Sequence, residues 1–203
     1  MKHLLGLEDV NLKTIQLIFD QARQFKEIFQ RPVKQVPTLR GKNIVTLFYE
    51  PSTRTRTSFD VAAKALGASS IALNIATSSV SKGETLVDTA RNLEVMGIDA
   101  IIIRHQMSGA PHLLAQHVNI PVINAGDGWH EHPTQGLLDM FTMLEASPSL
   151  KGKRVIIVGD IAHSRVARSN IWGLTKMGAK VTVVGPSILI PKDIDQMGVE
   201  VSN

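Results

Sequence analysis

The stretch NIVTLFYEPSTRTRTSF, Asn43–Phe59, decides how this chain is read. Its first half, Asn43–Tyr49, is a continuous apolar run of strand length, as expected of a strand buried on both faces. Its second half packs Ser52, Thr53, Arg54, Thr55 and Arg56 between apolar residues, behind a proline that suits the first turn of a helix. A strand that turns directly into a helix exposes free backbone N–H groups at the turn, and the helix dipole favours negative charge there. Hydroxyls add short donors, and Arg54 can hold two oxygens in a fork. Two readings fit these residues. One is a cup for a doubly charged anion, and the other is an ordinary helix cap followed by solvated arginines.

Outward from this stretch the pattern repeats. Strand-like runs at Ser70–Ile75, Ala100–Arg104 and Pro121–Asn124 alternate with helical periodicity over Glu84–Met96, Pro111–His117 and Thr134–Ala146. Before them, Leu12, Ile15, Ile18, Phe19, Ala22, Phe25 and Ile28 mark an amphipathic helix over Asp9–Gln30, with Asp9 as its candidate N-cap. The segment Ser147–Lys153 reads as a linker. A second series follows: strand Arg154–Val158, helix Val166–Met177, strand Lys180–Val184, a short helix at Asp193–Gly198 and a strand opening at Val199. The expected fold is α/β, with two doubly wound domains whose parallel sheets are flanked by helices. The expected divisions are residues 1–146, a linker at 147–153, and an incomplete domain at 154–203. About fifty residues bury too little surface to stand alone, which suggests a piece of a longer polypeptide.

Composition narrows the function. The 203 residues carry a formal charge of +4, 4% aromatics and no cysteine. The basic residues form no run and stacking side chains are scarce, which argues against nucleic acid. No apolar run spans a bilayer and Met1–Gly6 lacks a signal-peptide core, so no membrane partner is expected and a cytoplasmic location is. Disulfides and thiolate metal sites are excluded. The charge suits small anionic substrates.

Parallel strands place their C-terminal ends on one edge of a sheet, where open α/β proteins bind ligands. The segments following the four strands of the first series are Glu50–Arg56, Ser78–Glu84 (with Lys82), Arg104–Gln106 and His130–Gln135. Arginine, lysine, histidine, hydroxyls and amides collect there. The sequence His130-Glu131-His132, with His105 and Asp127, invites a zinc reading but lacks the helical H-E-x-x-H spacing, and no metal is expected. Val158–Arg165 (VGDIAHSR) stands where a dinucleotide fingerprint would, yet holds only one of its glycines, Gly159. NAD is therefore not expected, and Arg165 reads as either a ligand-facing or a helix-surface arginine.

The segments FYEPSTRTRTSF (48–59), SKGETLVDTARNL (81–93), IIIRH (101–105), HPTQGLLDMFTM (132–143) and VGDIAHSRVARSNIWGLTKMGA (158–179) resemble the aspartate carbamoyltransferase family in order and spacing. S-T-R-T-R and H-P-T-Q are shared with ornithine carbamoyltransferases, while S-K-G-E and G-D-x-x-H-S-R resemble the aspartate enzymes. The resemblance implies transfer of the carbamoyl group of carbamoyl phosphate to L-aspartate, in pyrimidine synthesis, without metal or cofactor. It implies that Ser52, Thr53, Arg54 and Thr55 hold the phosphate. Thr55, Arg104 and His132 would contact the carbamoyl oxygen, Gln135 the carbamoyl amide, and Arg165 an aspartate carboxylate. It also implies homotrimers in which Ser78 and Lys82 enter a neighbour's site, with a regulatory chain or a dihydroorotase as possible further partners. No general base stands out among the side chains. An ornithine-type acceptor and a non-catalytic carbamoyl-phosphate-binding fragment are the alternatives.

Overall fold

The computed structural model describes residues 1–74 and 84–202; Ser78 and Lys82 lie outside the described residues. The described helices are α1 (Leu12–Lys26), α2 (Thr53–Ala65), α3 (Leu86–Val95), α4 (Ala110–Ala115), α5 (Pro133–Ala146) and α6 (Arg165–Lys176). The strands are β1 (Asn43–Phe48), β2 (Ser69–Asn74), β3 (Ala100–His105), β4 (Val122–Asp127), β5 (Arg154–Val158), β6 (Lys180–Val184) and β7 (Glu200–Ser202). The chain divides into two compact units: Met1–Leu5 with Asp20–Asp127, and Gly6–Phe19 with Gly128–Asn203.

In the first unit four strands form a parallel sheet in the order β2-β1-β3-β4. Alternation along the strands divides its apolar residues between two faces. Val45, Leu47, Ile101 and Ile103 join Ala90, Leu93 and Leu114 in one buried cluster, while Ile44, Phe48 and Ile102 join Ala63 in another. Both faces are therefore covered by helices, which is why these strands read as unbroken apolar runs. β4 runs on through Asn124–Asp127, three residues past the expected end. Its polar residues are tolerated because they satisfy one another: Asn124 Nδ2 donates to Asp127 Oδ1 at 2.7 Å and to the Leu5 carbonyl at 2.8 Å.

The second unit carries a three-stranded parallel sheet, β5-β6-β7. Val181 and Val183 point to its buried face, whereas Ile156 and Val158 on β5 are 62% and 73% exposed. α1 begins at Leu12 rather than Asp9, because Asn11 is its cap: Asn11 Oδ1 accepts the Thr14 N–H at 2.9 Å. Beyond Lys26 the helix tightens into a 3-10 turn, Glu27–Gln30. The segment before α1 is gripped by two charges of this unit, the buried Glu131 and the half-buried Lys176. Both oxygens of Glu131 accept N–H groups, from Leu7 at 2.7 Å and Glu8 at 3.2 Å, and Ser169 Oγ donates to the same carboxylate at 2.8 Å. Lys176 Nζ donates to the carbonyls of Leu7, Glu8 and Val10. Gly6 has to be glycine, since a Cβ there would run into the Glu131 carboxylate.

Candidate functional site

In the first unit the end of β1 and the start of α2 set the geometry. Ser52 occupies the N-cap position with an extended backbone (φ −162°, ψ 96°), yet its hydroxyl makes no capping bond. The first helical bond joins the Arg56 N–H to the Ser52 carbonyl at 3.1 Å. By helix geometry the N–H groups of the first turn, Thr53 to Thr55, have no intrahelical acceptor. Arg54 is exposed and no ion pair to it occurs among the described residues, whereas Arg56 lies over the Phe48 ring, 5.3 Å from its centroid. Arg56 is thereby committed to the protein and Arg54 is not.

Arg104 reaches the same loop. It pairs in register with Phe48 at the end of β3, and its carbonyl accepts the Tyr49 N–H at 2.9 Å. Its guanidinium is nearly buried and forked between Glu50 Oε1 at 2.5 Å and the Ala125 carbonyl at 3.3 Å, while the buried Nε has no partner among the described residues. Nothing in the sequence marks Glu50 for a role, although it stands between β1 and Ser52. Its carboxylate neutralises an arginine that would otherwise be a buried lone charge.

Next along β3, His105 is buried against the Tyr49 ring, with centroids 4.6 Å apart. Its Nδ1 accepts the Met107 N–H at 2.9 Å, so the neutral ring carries its proton on Nε2. Burial pulls the imidazole pKa below its ordinary value, with the Asp127 carboxylate opposing. Asp127 is itself fully buried and accepts the Gly109 N–H at 2.7 Å.

The second unit holds His132, Gln135 and Arg165. His132 is the residue before α5 and makes no capping bond with its side chain, and Pro133 follows at the first helical position. Its backbone N–H is fixed by Ser169 Oγ at 2.9 Å, the hydroxyl that also holds Glu131. Gln135, in the first turn, donates through Nε2 to Asp139 Oδ1 at 2.9 Å, and Asn170 Nδ2 on α6 donates to Asp139 Oδ2 at 2.7 Å. Arg165 opens α6 and donates to the Gly128 carbonyl at 3.1 Å. Beside it His163 Nδ1 meets the Asp160 carboxylate at 2.9 Å, and the His163 ring stands edge-on to Trp129. Glu8, His130 and Glu131 bring ligand-capable atoms within 4.8 Å of one another, but both Glu131 oxygens already accept backbone N–H groups.

The helix starts fall into two kinds. Side chains close the N-termini of α1, α3 and α6: Asn11 accepts from Thr14, Thr85 from Asp88 and Ser164 from Ala167. α2 and α5, which carry Ser52–Thr55 and His132–Gln135, are not closed in this way, and neither is the short α4 after Gly109.

Known proteins share this framework. A family model described as aspartate/ornithine carbamoyltransferase, carbamoyl-P binding domain, matches residues 2–145. The aspartate carbamoyltransferase catalytic subunit of Moorella thermoacetica is 61% identical over 200 residues, covering 98% of this chain and 65% of that one. The Halothermothrix orenii catalytic subunit is 60% identical, covering 98% and 64%. The chain thus spans about 65% of the length of these curated relatives. Among solved structures, the catalytic subunit of M. jannaschii aspartate transcarbamoylase is 38% identical with a TM-score of 0.85, covering 99% of this chain and 67% of that one. Ornithine carbamoyltransferase from Pyrococcus furiosus is 33% identical with a TM-score of 0.87, covering 98% and 65%. Aspartate transcarbamoylase from Trypanosoma cruzi, solved with carbamoyl phosphate and aspartate, is 29% identical with a TM-score of 0.88, covering 98% and 65%. The motifs, the parallel α/β fold and the family match agree, and the chain belongs to the aspartate/ornithine carbamoyltransferase family.

Proposed function

We propose that this chain supplies the carbamoyl-phosphate side, and part of the acceptor side, of an aspartate carbamoyltransferase. The reaction is transfer of the carbamoyl group of carbamoyl phosphate to L-aspartate, giving N-carbamoyl-L-aspartate and phosphate for pyrimidine synthesis. The observation that carries this reading is the open start of α2. Ser52 stands in the N-cap position with no capping bond from its hydroxyl, above a helical turn whose first N–H groups lack intrahelical acceptors and an exposed Arg54 with no ion pair among the described residues. A dianionic phosphoryl group is the ligand that such a turn suits. The family match over residues 2–145 supports a carbamoyl-phosphate domain at 1–146, with acceptor binding beginning after the 147–153 linker. Aspartate is favoured over ornithine by relatives at 55–61% identity named as aspartate carbamoyltransferases, against 33% for the ornithine enzyme.

Each residue then has a chemical task. Ser52, Thr53, Arg54 and Thr55 neutralise the phosphate and stabilise the charge it carries away. The amine of aspartate, oriented by Arg165 on its carboxylate, attacks the carbamoyl carbon. Charge builds on the carbonyl oxygen, where Arg104, His132 and Thr55 are the donors; a preorganised donor at such an oxygen contributes about 3–4 kcal/mol in favourable cases. The C–N bond forms, the C–O bond to phosphate breaks, and the electron pair leaves with phosphate, which takes up the amine proton. Holding both substrates together removes much of the entropic barrier, and no covalent intermediate is required. Ser78 and Lys82 complete a neighbouring site in a cytoplasmic trimer, so mixing Lys82→Ala and Arg54→Ala chains restores activity lost in each alone.

Calorimetric titration of the chain with fresh carbamoyl phosphate tests the reading, followed by an assay of carbamoyl transfer to aspartate and to ornithine. Saturable binding and transfer to aspartate are expected. A folded chain that gives no heat with carbamoyl phosphate defeats the reading, and preferential transfer to ornithine moves the acceptor assignment.

A further inference from the structure

We infer that Asp139, held by Asn170, is a positioning residue that forces Gln135 to present its amide oxygen, and so makes the carbamoyl subsite select an N–H donor. This rests on the reading above that Gln135 faces the carbamoyl amide. Glutamine is ambiguous by nature, since one end of its amide accepts and the other donates. Here the ambiguity is removed. Gln135 approaches Asp139 Oδ1 at 2.9 Å, and an ionised carboxylate can only accept, so the nitrogen of Gln135 must be the atom facing it. Oε1 is the other end of the same planar amide, and no hydrogen bond to it occurs among the described residues. The other carboxylate oxygen of Asp139 takes the Asn170 Nδ2 proton at 2.7 Å, which fixes the carboxylate from the second helix. The three side chains lie on the packed pair α5 and α6 and are all half-buried, so the arrangement rests on rigid elements rather than a loop.

An oriented acceptor discriminates among acyl phosphates of the same size and charge. A carbamoyl group offers an N–H to Oε1. An acetyl group offers a methyl and leaves Oε1 unpaired, which costs the site a hydrogen bond. A carboxylate in the same place sets two acceptors against each other. Asp139 therefore contributes to choosing the acyl group, a task apart from holding phosphate.

The probes are two stable phosphonates of nearly equal shape: phosphonoacetamide, which keeps the amide NH2, and 2-oxopropylphosphonate, which replaces it by methyl. Inorganic phosphate is the control. Wild-type chain is expected to favour the amide by roughly tenfold or more, one good hydrogen bond. In Asp139→Asn the carboxamide oxygen stays with Asn170 Nδ2 and its nitrogen turns to Gln135. Gln135 then reverses, and the preference falls to about one or inverts while phosphate affinity holds. A merely structural role for Asp139 would weaken all three ligands together. Asn170→Ala, a milder change, is expected to reduce the preference in part and carries the test should Asp139→Asn fail to fold. A wild-type preference near one with phosphate still bound overturns this inference alone, as does a preference that survives in the folded variants. Failure of all three ligands to bind the wild type removes the carbamoyl-phosphate reading and this inference with it.

Discussion

α2 and α6 begin alike in sequence, each after a strand with a serine in the N-cap position, and they end up chemically opposite. At α6 the Ser164 hydroxyl accepts the Ala167 N–H at 3.1 Å and the helix closes on itself. At α2 the Ser52 hydroxyl makes no such bond and the turn remains open. The neighbouring arginines follow the same division. Arg165 is tied to the Gly128 carbonyl and Arg104 to Glu50, whereas Arg54 has no such tie among the described residues. A closed polar group contributes to stability and has less hydrogen-bonding capacity left for a ligand. An open one contributes little to stability and keeps its full hydrogen-bonding capacity for binding.

This contrast is most readily broken at Arg54. Two charge-assisted hydrogen bonds to phosphate are together worth about 3 kcal/mol at the low end, so Arg54→Ala should weaken carbamoyl phosphate by roughly a hundredfold or more. Its thermal midpoint should stay at the wild-type value, because the exposed guanidinium supports nothing else among the described residues. A comparable loss of stability would place Arg54 among the closed groups. The paired serines sharpen the comparison at smaller amplitude. Ser164→Ala should cost ~1 kcal/mol of stability by loss of a cap. Ser52→Ala should leave stability unchanged and weaken the phosphate ligand by roughly tenfold. Denaturant melts and calorimetry on both variants decide the matter, and an equal cost to stability at the two positions would show that Ser52 caps after all.

Sequence reasoning reached the strands of both sheets because their residues declare themselves locally. Ile101–Ile103 cannot be anything but buried, and Lys180–Val184 alternates as a half-covered strand should. Candidate residues near a strand end, such as Arg104, were legible for the same reason. What escaped was whatever depends on partners far away in the chain. Glu131 stands between two histidines and invites a metal reading, but it serves the backbone of Leu7 and Glu8, more than 120 residues earlier. Glu50 finds Arg104 across the sheet. Asp139 lies four residues after Gln135 on one helix face, a spacing that sequence reading can test; Asn170, from another helix, leaves no such mark. α1 starts at Leu12 rather than Asp9 because Asp9 and Asn11 are both good caps by type, and only geometry shows which side chain reaches the Thr14 N–H.

The smallest expected effect concerns two closed groups, His105 in the first unit and Asp160 in the second, which should titrate in separate windows. Burial lowers the His105 pKa in the folded state, so between that value and about 6.5 the unfolded chain binds a proton that the folded chain refuses. Stability contributed by neutral His105 is complete above 6.5 and falls as pH drops below it. The local chemistry agrees, because a protonated Nδ1 would set N–H against the Met107 N–H that it now accepts. Asp160 works the other way around. Desolvation pushes its pKa up, but the hydrogen bonds from His163 outweigh this and the net shift is downward. Its contribution is present above the ordinary carboxylate value of 3.8 and is lost only as pH falls through the lower folded value. His105→Asn keeps an acceptor for Met107 and removes the titration, so it should flatten the stability profile just below 6.5 and leave the acid limb in place. Asp160→Asn should do the reverse. If His105→Asn changes only the acid limb, the buried imidazole is not what senses mild acid, and the closed network around Asp127 has to be examined group by group.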